Sequence, residues 1–243
     1  MTGPKTTKPP TKEQSLVVKA YLFIYNAIQV LGWSYILYQL IDYYLLQSSD
    51  FRKQTEFWSY IHLAVIVFQN AACAEIMHSS LGFVKSNPVI TTFQVFSRIM
   101  VVVGVIMATP TAKLSPGLPT AILAWSVTEI IRYSYYALNI IRCVPYFITF
   151  LRYSTFYILY PIGVSGELVC FWWAQSYAKS TSVWSLELPN KYNVTFSYYI
   201  CLWVIMLSYI PLFPKLFMHM VAQRHKILTP IVNISGSPDK KRK

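Results

Sequence analysis

The residues of this sequence that could do chemistry stand where an apolar solvent should reject them. Glu75, Arg98, Glu129, Arg132, Arg152 and Glu167 each interrupt a long hydrophobic run. A charge near the middle of a bilayer costs roughly 2.5 to 3.5 kcal/mol on insertion scales, so such groups face a bundle interior, pair with one another, and mark a pathway or a reaction centre. In FLRYSTFYILYPIGVSGELVC, Tyr160 and Glu167 lie seven positions apart. On a regular helix that is two turns, roughly 10 Å of rise on nearly one face. A phenol and a carboxyl group so placed supply a proton donor and a proton acceptor. Pro161, Gly163 and Gly166 remove bulk between them, leaving room for an acyl chain or for a neighbouring helix.

The remaining charges carry less. Glu129 and Arg132 are three apart and share a helix face, which fits a packing salt bridge as well as a supporting role in a site. Glu75 and His78 have the same spacing, but their place near the end of an apolar segment fits a solvated interface. His62 reads as a helix histidine with its own partner. Most of the 19 tyrosines are expected at membrane interfaces, where the amphipathic ring is favoured for reasons unrelated to catalysis.

The elements that must position these groups are apolar helices. The 243 residues are 55% hydrophobic and only 12% charged, outside the range of a soluble globular chain. Segments of about the length that crosses a bilayer run over 17–46, 57–80, 89–109, 120–141, 146–177 and 196–222. Proline and glycine punctuate the turns between them: Gly82 with Asn87-Pro88, then Pro110, Pro116, Gly117 and Pro119, then Pro145. Pro161 is expected to interrupt the fifth span, and Pro211 and Pro214 to kink the sixth. The fold class is therefore all-α, a polytopic membrane protein with a six-transmembrane-helix bundle over 17–223. A disordered cytosolic tail over 1–16 and a basic cytosolic tail over 224–243 flank it.

Charge at the two ends orients the bundle. Lys5, Lys8, Lys12 and Lys19 precede the first span, and Arg224, Lys226 and the final KKRK follow the last. Basic flanks stay in the cytosol, and an even number of spans satisfies both ends at once. The sequon Asn193-Val194-Thr195 is then lumenal, though close to the bilayer, and Asn233-Ile234-Ser235 cytosolic. Lys240 and Lys241 match a dilysine retrieval signal of endoplasmic reticulum membrane proteins as well as an ordinary basic tail. The first fifteen residues lack the apolar core and cleavage site of a signal peptide. The net charge of +12 sits at ends and turns rather than along one face, which argues against a nucleic-acid partner. Cys73, Cys143, Cys170 and Cys201 form no CxxC or Cys/His pairing, so they read as small buried hydrophobes, with no disulfide framework or metal site.

The stretch from Tyr160 to Glu167, preceded by Leu151-Arg152-Tyr153 and by Trp125-Ser126 through Glu129-Ile130-Ile131-Arg132-Tyr133, resembles the very-long-chain 3-hydroxyacyl-CoA dehydratase family. The resemblance implies removal of water from a 3-hydroxyacyl-CoA to give the trans-2-enoyl-CoA, the third step of fatty-acid elongation, at the endoplasmic reticulum. It implies Tyr160 and Glu167 as the catalytic pair, an acyl-CoA substrate, no metal or organic cofactor, and the condensing enzyme and reductases of elongation as possible partners. Each positioned acid or base is worth roughly 10² to 10⁴ in rate. Tyr160 as base would need a cation alongside, for which Arg132 and Arg152 are the candidates; the opposite assignment, with Glu167 as base, is equally compatible. Such proteins are also called phosphatase-like. A cysteine phosphatase needs an arginine six residues after its cysteine, and here those positions hold Ser79, Thr149, Ser176 and Leu207, so phosphatase activity is rejected. A transporter would fit buried charges, but no repeat of halves is visible; a catalytically silent scaffold of the elongation complex is the other alternative.

Overall fold

The computed structural model describes residues 15–235 apart from Lys85 and Tyr192, with the backbone alone over 230–235. Among these residues it is helical, and its only β pairing is an isolated bridge between Leu186 and Phe196. The residues 1–14 and 236–243, with the dilysine-like Lys240 and Lys241, lie outside the described part.

α1 spans Leu16–Ile41 and runs on through a π-helical turn, Asp42–Leu46. The short α2, Ser49–Gln54, leads to α3, Phe57–Ala71, and α4, Cys73–Ser80, which are separated by a break at Ala72. α5, Pro88–Val101, starts with proline at its first position and the Asn87 side chain on the Val89 N–H, a strong start signal, and continues as a π-helical segment over Val102–Met107. The one-turn α6, Pro110–Lys113, precedes α7, Gly117–Ile140. α8, Tyr146–Ser154, and α9, Phe156–Thr181, are separated at Thr155, and α10 covers Tyr198–Ser235.

The break in the fifth segment thus falls at Thr155 and not at Pro161. The Thr155 hydroxyl donates to the Leu151 carbonyl, a back-bond that bends helices, and Pro161 then sits in the second turn of the new helix. α10 runs without a break through Pro211 and Pro214 and past residue 223 to Ser235, so the helix extends beyond the end where charge placed the last span.

Five helical segments are long and apolar enough to cross a membrane: Leu16–Leu46, Phe57–Ser80, Pro88–Met107, Phe156–Thr181 and Tyr198–Thr229. α7 is not among them, although its 24 residues amount to about 36 Å of helix. Glu129, Arg132 and its serines and tyrosines lower its hydropathy. It is instead the centre of the bundle, packed along its length against α1 on one side and α9 on the other. Leu118, Ala121, Ile122 and Trp125 of α7 are buried with Trp33 and Ile36 of α1, Ile61 and Val65 of α3, and Cys170, Phe171 and Ala174 of α9. The outer surface is oily, with Leu31, Phe93 and Ile210 between 70% and 72% exposed, as lipid-facing positions should be. Two asparagines inside the helices bond their own backbone, Asn26 donating to the Leu22 carbonyl and Asn70 to that of Ile66. That satisfies them where no water is available.

Candidate active site

The crossing of α7 and α9 is made by small residues. A Cβ added to Gly166 would stand 2.7 Å from both the Gly117 carbonyl oxygen and the Ala121 nitrogen, and one added to Gly163 would stand 3.3 Å from the Ala124 Cβ. Backbones approach this closely only where side chains are missing. The consequence is local: Trp125, one turn beyond Ala121, and Glu167, next to Gly166, are brought face to face.

Glu167 is 9% exposed, and both of its oxygens are engaged. The Trp125 Nε1–H donates to Oε1 at 2.8 Å and the Tyr209 hydroxyl of α10 donates to Oε2 at 2.8 Å. Three helices therefore hold one carboxyl group. The Arg98 guanidinium of α5 lies over the Trp125 ring, 5.0 Å from its centroid, a cation–π contact that polarises the indole. Tyr160, two turns before Glu167, is half-buried. Its ring stacks on Phe213 of α10 at 4.9 Å and 4°, with Phe217 beyond at 6.4 Å, and it lies within electrostatic range of Glu167. The pair is thus lodged at the α9–α10 seam. Two surface depressions, one beside Trp58, His62 and Lys113 and one beside Lys179, Glu187 and Phe196, are lined by neither residue.

The other charges form a second cluster beside this site. Arg132 grips Glu75 with two bonds of 2.8 Å, Nη1 to Oε2 and Nη2 to Oε1, while its Nε donates to Glu129 at 2.6 Å. The Tyr133 hydroxyl donates to Glu75 Oε1 at 2.5 Å. Arg98 Nη1 approaches Glu129 Oε1 at 3.3 Å, an ion-pair distance without the alignment of a hydrogen bond. Glu129 and Arg132 do pair as their spacing predicts. Arg132 is committed to Glu75, Glu129 and the Tyr133 hydroxyl, however, and Arg152 donates to the Tyr136 hydroxyl at 3.4 Å and lies near the Tyr136 and Tyr153 rings. The guanidinia expected beside Tyr160 have these partners instead.

Two further expectations are corrected. Glu75 and His78 are not a solvated interface: the Glu75 side chain is 16% exposed within the ion-pair cluster, and His78 is buried, 2.9 Å from the Tyr21 hydroxyl. A position near the end of a span does not tell which face a residue takes, and this face meets α1 and α7. Of the four cysteines only Cys170 is buried; Cys73 and Cys143 are exposed and Cys201 is intermediate, and all four are free thiols. His62 has its helix partner, the Ser59 carbonyl at 3.0 Å. Tyr209 escaped sequence reasoning altogether, since nothing local separates it from the other tyrosines.

The architecture defines a class: a helical membrane protein with a carboxyl group buried between helices and held by hydrogen bonds from an indole and a phenol. The comparisons give the family. The model of the protein tyrosine phosphatase-like protein family, PTPLA, matches residues 69–230, which include every charged residue of both clusters, and the chain belongs to that family. It is 40% identical over 210 residues to very-long-chain (3R)-3-hydroxyacyl-CoA dehydratase 2 of Homo sapiens, covering 86% of this chain and 81% of that one. It is likewise 40% identical to the very-long-chain (3R)-3-hydroxyacyl-CoA dehydratase of Caenorhabditis elegans, over 87% and 95% of the two chains. To the dehydratase PASTICCINO 2A of Oryza sativa it is 32% identical, over 88% and 95%. No solved structure matches the chain.

Proposed function

We propose that this protein is a membrane-embedded hydro-lyase that dehydrates very-long-chain (3R)-3-hydroxyacyl-CoA to the trans-2-enoyl-CoA in the fatty-acid elongation cycle. The observation that carries the reading is the buried, doubly hydrogen-bonded Glu167 with Tyr160 two turns away on the same helix, in a chain whose relatives are named for that reaction. The thioester acidifies the proton on the carbon next to its carbonyl, so the chain has to supply only a base and an acid.

In this reading Glu167 is the base and Tyr160 the acid. A carboxylate has about four acceptor positions; Trp125 and Tyr209 use one on each oxygen, and others remain for the substrate proton. Tyr160 stacks on phenylalanine with both candidate guanidinia engaged elsewhere. A phenol titrates near ~10, and without a cation alongside it keeps its proton to give. Glu167 takes the proton from carbon, the electron pair forms the new double bond, the carbon–oxygen bond breaks, and the leaving hydroxyl takes the Tyr160 proton to depart as water. Return of the proton from Glu167 to Tyr160 restores the pair.

The α7 helix, about 36 Å long and enclosed by spans, completes a bundle of six with both ends in the cytosol. The coenzyme A head then enters from the cytosolic side, where Arg152 and Arg224 flank the α8–α10 end of the site, and the acyl tail lies in the membrane. Residence in the endoplasmic reticulum, and contact with the other elongation enzymes, belong to the same proposal. The test is dehydration of a 3-hydroxyacyl-CoA by purified protein in detergent. The parent turns over, Tyr160→Phe and Glu167→Gln lose turnover by about 10² or more, and a parent protein without turnover sinks the reading.

A further inference from the structure

Glu167 meets two donors that differ chemically. The indole N–H of Trp125 can only donate, so Oε1 is held as an acceptor throughout. The Tyr209 hydroxyl can donate or accept. The two come from different helices, α7 and α10, at 2.8 Å each, so a single orientation of the carboxyl plane satisfies both. Tyr209 is itself fixed by an edge-to-face contact with Phe171, ring centroids 6.0 Å apart. The groups around the carboxyl are Tyr160 and Cys170 on its own helix, Trp125 from α7, Tyr209 from α10, and Arg98 of α5 behind the indole.

We propose that Tyr209 is a positioning residue for Glu167, turning Oε2 into the oxygen that holds the substrate proton. While Glu167 is ionised, the Tyr209 hydroxyl donates to Oε2. When the carboxylate has taken the proton from carbon, that proton sits on Oε2 and the hydroxyl rotates to accept it, while Trp125 keeps Oε1. No atom is gained or lost by Tyr209; it supports both charge states of Glu167 where Trp125 supports one. This inference rests on the acid–base reading of Glu167.

Tyr209→Phe keeps the ring and its packing on Phe171 and removes only the hydroxyl. Loss of a hydrogen bond to a charged group corresponds to about tenfold or more in rate, expected in kcat with KM for the acyl-CoA unchanged. A merely structural hydroxyl moves neither. The second measurement is Tyr209→Phe placed on Glu167→Asp, whose shorter side chain no longer reaches Tyr209. There the substitution is expected to add no further loss, because the coupling is already gone. Unchanged kcat in Tyr209→Phe, a full further loss on the Asp background, or failure of Tyr209→Phe to unfold cooperatively each overturns the proposal. Full activity of Glu167→Gln instead overturns the acid–base reading beneath it.

Discussion

The substitution Gly166→Ala tests whether the α7–α9 crossing is what builds the site. The new methyl would lie 2.7 Å from the Gly117 carbonyl oxygen, 2.7 Å from the Ala121 nitrogen and 3.1 Å from the Ala121 Cα. Comfortable separation is about 3.5 to 4 Å, so the shortfall is about 1 Å. All three atoms are helix backbone, which cannot rotate aside, and the helices must part by that amount. Glu167 is the next residue and Trp125 is one turn from Ala121, so their 2.8 Å bond stretches towards about 3.8 Å, beyond hydrogen-bonding range. Overpacking costs about 1 to 3 kcal/mol, and a misplacement of about 1 Å in a catalytic group costs about 10² in rate. Gly163→Ala is the internal control, since its methyl meets only the Ala124 Cβ at 3.3 Å and needs a few tenths of an ångström. The assay is enoyl-CoA formation by purified variants, alongside thermal unfolding in detergent. Gly166→Ala is expected to lose about 10² in kcat/KM and to unfold earlier, with Gly163→Ala within a few-fold of the parent. Equal behaviour of the two variants would refute the reasoning, because only one of them forces backbone apart.

Trp125→Phe keeps an aromatic face for Arg98 and removes the donor to Glu167 Oε1; kcat should fall about tenfold or more, read in the same turnover assay. Arg132→Met strips the shared partner from Glu75 and Glu129. Leaving the buried Glu75 without its cation costs about 3 to 5 kcal/mol, seen as a sharp drop in Tm or in recovered folded protein. Arg132→Lys should recover only part of the loss, since a lysine cannot reproduce the bidentate grip on Glu75 and the bond to Glu129 together.

The helices were legible because each apolar run must hide its backbone from lipid, and the runs match the elements to within a few residues, except that the fifth is divided at Thr155 and the last helix continues to Ser235. That Tyr160 and Glu167 share one helix was legible through their spacing and the motif around them. What the sequence withheld is long-range. Trp125 and Tyr209 both lie 42 positions from Glu167, and Glu75 lies 57 from Arg132, with no local pattern to pair them among 19 tyrosines and 7 tryptophans. The glycines show why: Gly117 reads as a turn residue and Gly166 as a loosened helix, and only their mutual contact reveals that they set the crossing.

The unequal treatment of the buried glutamates is the deeper signal. Every one of Glu75, Glu129 and Glu167 bears the cost of leaving water. Arg132 neutralises Glu75 and Glu129 together, and Arg98 adds to Glu129, so these two are bound into structure and are poorly placed to exchange protons. Glu167 has neutral donors instead, an indole and a phenol. A carboxyl held by neutral partners can change its protonation without tearing an ion pair, which is what the proposed role, taking and returning a proton in every turnover, requires. Among the buried glutamates, the folding cost left uncompensated by a cation thus falls on the carboxyl that the proposed chemistry needs free.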